Sequence, residues 1–184
     1  MGTRLSSTQG RLFEIFLFLL KLVILSFPLY IILSFEGILL PLQEMVSGNV
    51  AFILRMLGFE VSRNGFFLKA GDMAFLITED CTGWKSMMFF LALVIAVPGV
   101  RMKKRVWGFV AGIPAIYAGN LFRILVMIFV LKFYGYETAE AVHNYLWQAG
   151  LILLVVFLWV LWMLWAGKME ITFLKRFPKL IKPR

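Results

Sequence analysis

The chain changes character at Thr78-Glu79-Asp80-Cys81-Thr82-Gly83-Trp84, where a short polar, strand-like segment meets a long apolar run. This stretch holds the only cysteine of the sequence. A helix that begins near Cys81 would direct its free backbone N–H groups toward the thiol and favour the thiolate, which is the form that attacks carbonyl carbons. We therefore interpret the rest of the chain by how it places this one sulfur atom.

The composition is typical of an integral membrane protein. Of the 184 residues, 61% are hydrophobic and 16% are charged, with a mean hydropathy of +0.88, whereas soluble domains have about 45–50% apolar residues. The net charge of +9 comes from basic residues beside the apolar runs, which follows the positive-inside rule and does not indicate nucleic-acid binding. With one cysteine and one histidine, we expect no intramolecular disulfide and no zinc centre, although carboxylates can bind a cation. We assign no metal site and no cofactor.

Four apolar runs approach the ~20 residues that cross a bilayer. They predict transmembrane helices over residues 12–34, 83–98, 107–131 and 145–166. The basic segments beside them belong in the cytoplasm by the positive-inside rule, namely residues 1–11, 101–105 and 167–184. The sequence therefore predicts an all-α, multi-pass protein of the cell membrane, built as a single bundle of about four transmembrane helices.

Three further segments are predicted on the extracytoplasmic side. Residues 37–58 are apolar on average but contain Glu44 and Arg55, which favours one or two amphipathic helices at the interface over a true span, the alternative. Residues 59–80 contain Asn64-Gly65, a strong signal for a β-hairpin. A small sheet with open edges cannot lie in lipid, so this segment is expected in water. Residues 132–144 are predicted as a polar loop.

This topology brings three reactive groups to one side of the membrane. Cys81 opens the second span, Arg123 lies in the outer half of the third, and His143 precedes the last. An arginine inside a membrane is costly and marks a functional-site candidate. Together with Asn120, three residues earlier in the same helix, it can hydrogen-bond a carbonyl oxygen on which negative charge develops. His143 is suited to take the proton of the Cys81 thiol and return it to a leaving amine.

Each of these groups also has a structural interpretation. Cys81 can be a small buried apolar residue, Arg123 can form an ion pair with Glu79, Asp80 or Glu140, and His143 can be hydrogen-bonded at the interface. These interpretations together describe an alternative function, a non-catalytic membrane assembly or scaffold protein in which Arg123 and the carboxylates form a polar network. In the catalytic interpretation, the His143 ring is oriented by a nearby polar side chain, for which Glu140, Asn144 and Gln148 are the candidates.

The ordered set of motifs resembles the exosortase/archaeosortase family of membrane-embedded cysteine transpeptidases, and in particular its short, minimal members. The matching motifs are Cys81-Thr82-Gly83 at the start of a span, Asn120-Leu121-Phe122-Arg123-Ile124 late in the next, and His143 before the last. The resemblance covers about residues 59–165. It implies that Cys81 is the nucleophile, His143 the general base and acid, and Arg123 the transition-state stabiliser, with Thr82, Gly83 and Asn120 in support.

The resemblance also implies a substrate class. Family members recognise a C-terminal sorting signal on exported proteins, made of a short motif, a transmembrane helix and a basic cluster. They cleave near the motif and pass the new C-terminus to an acceptor such as a lipid. We therefore expect a membrane-embedded cysteine endopeptidase/transpeptidase whose active site faces the extracytoplasmic side. Its expected partners are exported, membrane-anchored proteins and an acceptor lipid or other nucleophile, and not nucleic acid.

Overall fold

The computed structural model is mostly helical and describes residues 7–33, 35, 37–71, 73–145 and 149–167. The elements within these ranges are, in chain order, α1 (Ser7–Leu33), α2 (Leu40–Met56), β1 (Val61–Asn64), β2 (Phe67–Ala70), β3 (Met73–Leu76), a 3₁₀ helix (Glu79–Thr82), α3 (Trp84–Ala96), α4 (Met102–Tyr145) and α5 (Leu151–Trp165). Among the described residues, one helix is long and apolar enough to cross a membrane, the 41-residue segment Met102–Val142 of α4. Helices α3 and α5 are shorter apolar helices.

The described apolar side chains form two cores. The first joins α2, the sheet and the later part of α4, and includes Leu54, Leu68 and Ile128. The second joins α3, α5 and the earlier part of α4, and includes Phe90 and Val155. Cys81 packs against the first core, so the candidate site lies where the small sheet meets α4.

The three strands form an antiparallel sheet in the order β1-β2-β3. Asn64 pairs with Phe67, so the two residues of the first turn are Gly65 and Phe66, and the predicted Asn64-Gly65 turn was wrong by one residue. Gly65 has φ +59°, and no residue other than glycine has a positive φ in the described part of the chain. Glycine at the first central position fits a type II′ hairpin turn, whereas an Asn-Gly pair is typical of a type I′ turn, which needs a positive φ at both central positions.

Helix α2 lies within segment 37–58, for which one or two helices were predicted. The segment forms a single helix that continues through Gly48. The proline at position 41 lies in the first turn, where no backbone donor is needed. A Cβ at Gly48 would lie 3.0 Å from Arg63 Nη1, so this glycine leaves space for the arginine of β1 rather than ending the helix.

Helix α4 corrects two predicted loops. Residues 132–144 are helical and continue α4, although the chain breaks locally at Gly135, where φ is 81° and ψ is 178°. The segment after the break is rich in alanine and glutamate, which are strong helix formers. Residues 102–105, predicted within a cytoplasmic loop, form the first turn of α4, because the Arg101 carbonyl accepts the N–H groups of Lys104 and Arg105.

The turn between α3 and α4 is closed by the guanidinium of Arg105. Its Nη1 donates to the Ile95 carbonyl at 2.7 Å, its Nη2 to Val97 at 2.8 Å and its Nε to Val100 at 3.3 Å. The last carbonyls of a helix have no partners within the helix. Arg105 supplies partners at the end of α3 and thereby ties α3 to the start of α4.

Candidate active site

Cys81 lies in the short 3₁₀ helix that links β3 to α3. Its N–H donates to the Thr78 carbonyl at 3.0 Å, and its Sγ is 3.3 Å from the Thr78 hydroxyl, where either atom can be the donor. Helix α3 begins at Trp84, three residues later than the helix start that the sequence suggested near the thiol. The half-buried sulfur is therefore held by a local turn that directly follows the sheet.

Asn120 of α4 fixes the backbone of this turn. Its Nδ2 donates to the Cys81 carbonyl at 2.7 Å, and the residue is fully buried. Gly83 has φ +75°, and a Cβ there would lie 3.0 Å from Asn120 Cγ. A glycine is required both by the backbone conformation and by this close approach. Thr82 is also buried, and its hydroxyl donates to the Glu79 carbonyl at 2.7 Å. These three predicted supporting residues therefore position the turn that carries Cys81.

Cys81 and Arg123 line the same cavity, whose volume is about 360 Å³. Arg123 is only 8% exposed, so its guanidinium is largely removed from water. Glu140 also lines the cavity. The remaining lining is largely apolar and comes from β3 and α4, with Phe75, Leu76, Ile77, Ile124, Met127, Ile128, Leu131, Tyr136 and Ala139. The cavity can therefore hold an apolar group beside a thiol and a cation.

A second cavity of about 430 Å³ lies between α4 and α5 and has no ionisable side chain among the described residues of its wall. It is lined by Trp107, Trp162 and Trp165 among other apolar residues and glycines. It offers no nucleophile, acid or base for chemistry. The cavity beside Cys81 is the candidate active site because Cys81, Arg123 and Glu140 all line it.

Asp80 carries the carboxylate that directly precedes Cys81 in the sequence. Asp80 forms an ion pair with Lys85 at 2.5 Å, and both side chains are about half exposed. The negative charge of Asp80 is therefore balanced beside the turn by Lys85.

Among the described residues, no group of three or more His, Cys, Asp or Glu side chains is arranged to hold a metal ion.

The histidine side chain lies outside the described residues. The backbone of His143 belongs to α4, three residues after Glu140, but the side chains of His143 and Asn144 are not among those described, and neither is any part of Gln148. Residues three apart in a helix are neighbours on its surface. The meeting of the imidazole with the sulfur and the guanidinium stays a prediction.

The sequence-based prediction missed the part that β3 plays in this site. Thr78, which contacts the sulfur, and Phe75, Leu76 and Ile77 of the cavity wall all precede Cys81 by three to six residues. Thr78 could have been identified from its spacing, because residues three apart are adjacent in a 3₁₀ turn. The apolar wall gave no such signal, because its residues resemble those of any buried strand.

Comparison with known proteins places the chain in a family. The family model described as transmembrane exosortase matches residues 1–163. No curated protein and no solved structure matches the chain. The matched region contains the Cys81 turn, Asn120, Arg123 and the cavity that they form. The chain therefore belongs to the transmembrane exosortase family.

Proposed function

We propose that this protein is a membrane-embedded cysteine endopeptidase/transpeptidase that processes exported, membrane-anchored proteins at the extracytoplasmic face of the cell membrane. The observation that carries the proposal is the shared cavity, in which the only cysteine of the chain faces the same space as a buried arginine. Family membership supports a membrane-associated role in processing exported proteins. The substrates end in a transmembrane helix followed by a basic tail.

In the proposed first step, the Cys81 thiolate attacks the carbonyl carbon of the scissile peptide bond. The sulfur–carbon bond forms, the carbon–nitrogen bond breaks, and the leaving amine receives the proton that the thiol gave up. His143 carries that proton, first as base and then as acid. In the second step an acceptor nucleophile, such as a lipid amine or hydroxyl or a water molecule, attacks the thioester and releases the thiol.

Arg123 has the role of stabilising negative charge. A guanidinium in the same cavity as the sulfur can balance the thiolate before attack and the oxyanion of the tetrahedral intermediate after it. Its burial makes this interaction stronger than it would be in water, because fewer solvent dipoles screen the charge. Asn120 lies one helical turn before Arg123, but its Nδ2 already donates to the Cys81 carbonyl, so we assign it to positioning.

Helical geometry supports the assignment of His143 as the general base. Glu140 lines the cavity, and the His143 backbone follows it by three residues in α4. The two positions are therefore adjacent on the helix surface. Glu140 is the candidate that orients the imidazole ring, with Asn144 and Gln148 as the other predicted partners.

The direct test measures cleavage of exported candidate proteins that end in an apolar helix and a basic tail, in membranes that contain the full-length protein. Cys81→Ala should abolish cleavage, so that the candidate substrate keeps the mass that it loses in the presence of the wild-type protein. Arg123→Gln should lower its rate by at least about a hundredfold, the typical effect of losing one oxyanion-stabilising group. Arg55→Gln is the matched control, because Arg55 donates to the Val61 carbonyl and lies outside the cavity wall.

The same variants separate catalysis from a scaffold role. Thermal unfolding in detergent should show that Cys81→Ala remains folded, because the change removes one small half-buried atom. Unchanged processing by a folded Cys81→Ala protein would contradict the proposal. If the protein is instead a scaffold, Arg123→Gln should lower its thermal stability, whereas Cys81→Ala and His143→Ala should leave its thermal stability and its role unchanged.

A further inference from the structure

The edge of the sheet that faces the candidate site has no partner among the described strands. The strand order is β1-β2-β3, so β3 pairs with β2 on one side only. Five residues after the end of β3, the chain reaches Cys81. Phe75 and Leu76 of β3, and Ile77 after it, line the cavity that also contains the sulfur and Arg123. The open edge is therefore continuous with the candidate active site.

The register shows which backbone groups point outward. Ala70 pairs with Met73 across the two-residue turn, and Leu68 pairs with Phe75. Farther along, the Ile77 N–H donates to the Phe66 carbonyl at 3.1 Å. In an antiparallel pair, hydrogen-bonded positions alternate with non-bonded ones. Positions 73 and 75 therefore bond to β2, and the N–H and C=O groups of Ala74 and Leu76 point away from the sheet. Beyond the strand, the Ile77 carbonyl accepts a hydrogen bond from Gln43 Nε2 of α2 at 3.3 Å.

The opposite edge of the sheet is covered by helix α2. On β1, the Val61 carbonyl accepts hydrogen bonds from Arg55 of α2. The Arg63 side chain donates to the Glu44 carbonyl of α2 at 2.8 Å. Within the described part of the chain, the β3 edge has no helix packed along it in this way. Helix α2 thus closes one edge and leaves the edge beside Cys81 accessible.

The β3 edge also lacks the usual protection against strand pairing. Natural edge strands carry lysine, proline or inward-pointing charges, which prevent another chain from adding to them. The residues of β3 are Met73, Ala74, Phe75 and Leu76, none of which is charged or proline. An unprotected apolar edge favours the addition of an extended peptide.

We propose that the substrate polypeptide binds as a fourth strand on the free edge of β3, and that an apolar side chain of the substrate enters the cavity beside Cys81. This inference rests on the proposed function and names how that function selects its substrate. The outward N–H and C=O groups of Ala74 and Leu76 bind the substrate backbone. The cavity of about 360 Å³ takes the side chain, and the extended backbone beyond β3 runs toward the sulfur.

The test uses purified full-length protein in detergent and an electrophilic peptide as the probe. The probe is a hexapeptide vinyl sulfone of alternating valine and threonine that ends in leucine, and its reaction with Cys81 is followed by intact mass. A series of analogues carries one N-methyl group at each amide in turn. Because bound strands use every second residue for hydrogen bonds, methylation of alternate amides should slow alkylation about five- to tenfold, the effect of one lost hydrogen bond. Methylation of the amides between them should change the rate little.

Two variants provide a protein-side test. Leu76→Pro removes an outward N–H from the open edge and should slow the unmethylated probe by a similar factor. Val61→Pro is the matched control, because its N–H also points outward by the register of β1 and β2 but lies on the edge beside α2. Iodoacetamide, which needs no strand pairing, should alkylate Cys81 at the same rate in the wild-type protein and in Val61→Pro. Because Leu76 lines the cavity, the probe rate of Leu76→Pro is divided by the iodoacetamide rate of the same variant before the comparison.

The outcomes separate this inference from the proposed function. Equal rates for all methylated probes, with normal alkylation by iodoacetamide, would overturn strand addition and leave the proposed nucleophile in place. A folded protein in which Cys81 resists iodoacetamide would instead count against the proposed function. If Leu76→Pro fails to fold, the methylated series on the wild-type protein still decides the question.

Discussion

Single side chains hold the Cys81 turn against α4, and Asn120 is the central one. It is fully buried and donates to the Cys81 carbonyl at 2.7 Å. Its Oδ1 is buried and accepts no hydrogen bond from the described residues. A buried acceptor of this kind is costly unless a ligand or another group supplies a donor. We therefore place Asn120 among the residues that set the geometry of the site.

Asn120→Ala should lower both stability and reactivity. Loss of the hydrogen bond and the resulting cavity should reduce the free energy of unfolding by about 1–3 kcal/mol, and alkylation of Cys81 by a peptide electrophile should slow at least about tenfold because the turn is no longer fixed. Asn49→Ala is the matched control, since its Nδ2 donates to the Tyr117 hydroxyl at the same 2.7 Å but away from the sulfur. An equal loss of reactivity in both variants would contradict a local role for Asn120.

Gly83→Ala tests the close approach beside the nucleophile. Both a positive φ of 75° and a contact of 3.0 Å with Asn120 oppose a Cβ at this position. Gly58 has φ +84°, but a Cβ there would meet nothing within 4 Å, so Gly58→Ala measures backbone strain alone, about 1–2 kcal/mol. Gly83→Ala should cost more than that and should also slow alkylation of Cys81. Equal unfolding free energies for the two variants, measured in denaturant, would show that Asn120 moves aside without cost.

Among the secondary-structure elements, the sequence predicted apolar helices better than it predicted their ends. Each predicted span contains a helix, because long apolar runs have few alternatives. Residues 132–144 were predicted as a loop from their polarity, yet they are helical, since alanine and glutamate favour helix regardless of polarity. The cavity could not be predicted, because Phe75 and Met127 meet only through tertiary packing. Cys81 and Arg123 could be selected from the sequence, because one is the only cysteine and the other is an arginine within an apolar run.

Arg105 allows a test at the level of the α3–α4 connection. Arg105→Met removes three donors to backbone carbonyls and should lower the free energy of unfolding by about 1.5–3 kcal/mol, since hydrogen bonds from charged groups are among the stronger ones. Lys103→Met is the control, because Lys103 lies in the same basic segment. Thermal unfolding in detergent compares the two. Similar midpoints would mean that water replaces Arg105 at the helix end.

At the scale of the whole molecule, the length of α4 sets the distance between the basic segment at its start and the candidate active site. Arg123 follows Met102 by 21 residues, which corresponds to roughly 30 Å of helix, about the thickness of the hydrocarbon core. If the basic start of α4 lies in the cytoplasm, Arg123 lies near the opposite surface. In the proposed orientation, this spacing would put Arg123 near the extracytoplasmic surface, where a charged side chain costs less than at the centre of the bilayer.

Labelling of introduced cysteines tests this arrangement. In a Cys81→Ser background, which has no other cysteine, Lys69→Cys of β2 should react with a membrane-impermeant maleimide on intact cells, because the sheet is proposed to lie outside. Arg101→Cys should react only after lysis. Both side chains are exposed in the structure, so access to them depends on the membrane. Labelling of Arg101→Cys on intact cells would reverse the proposed orientation.

The solitary, half-buried sulfur has a consequence for damage by peroxide. A sulfenic acid formed at Cys81 has no second thiol in the same chain with which to make a protective disulfide. Further oxidation would carry it to the sulfinic acid, from which ordinary reductants do not restore a thiol. Mass spectrometry after graded peroxide exposure should therefore show two added oxygens on the Cys81 peptide, with enzymatic inactivation that dithiothreitol does not reverse.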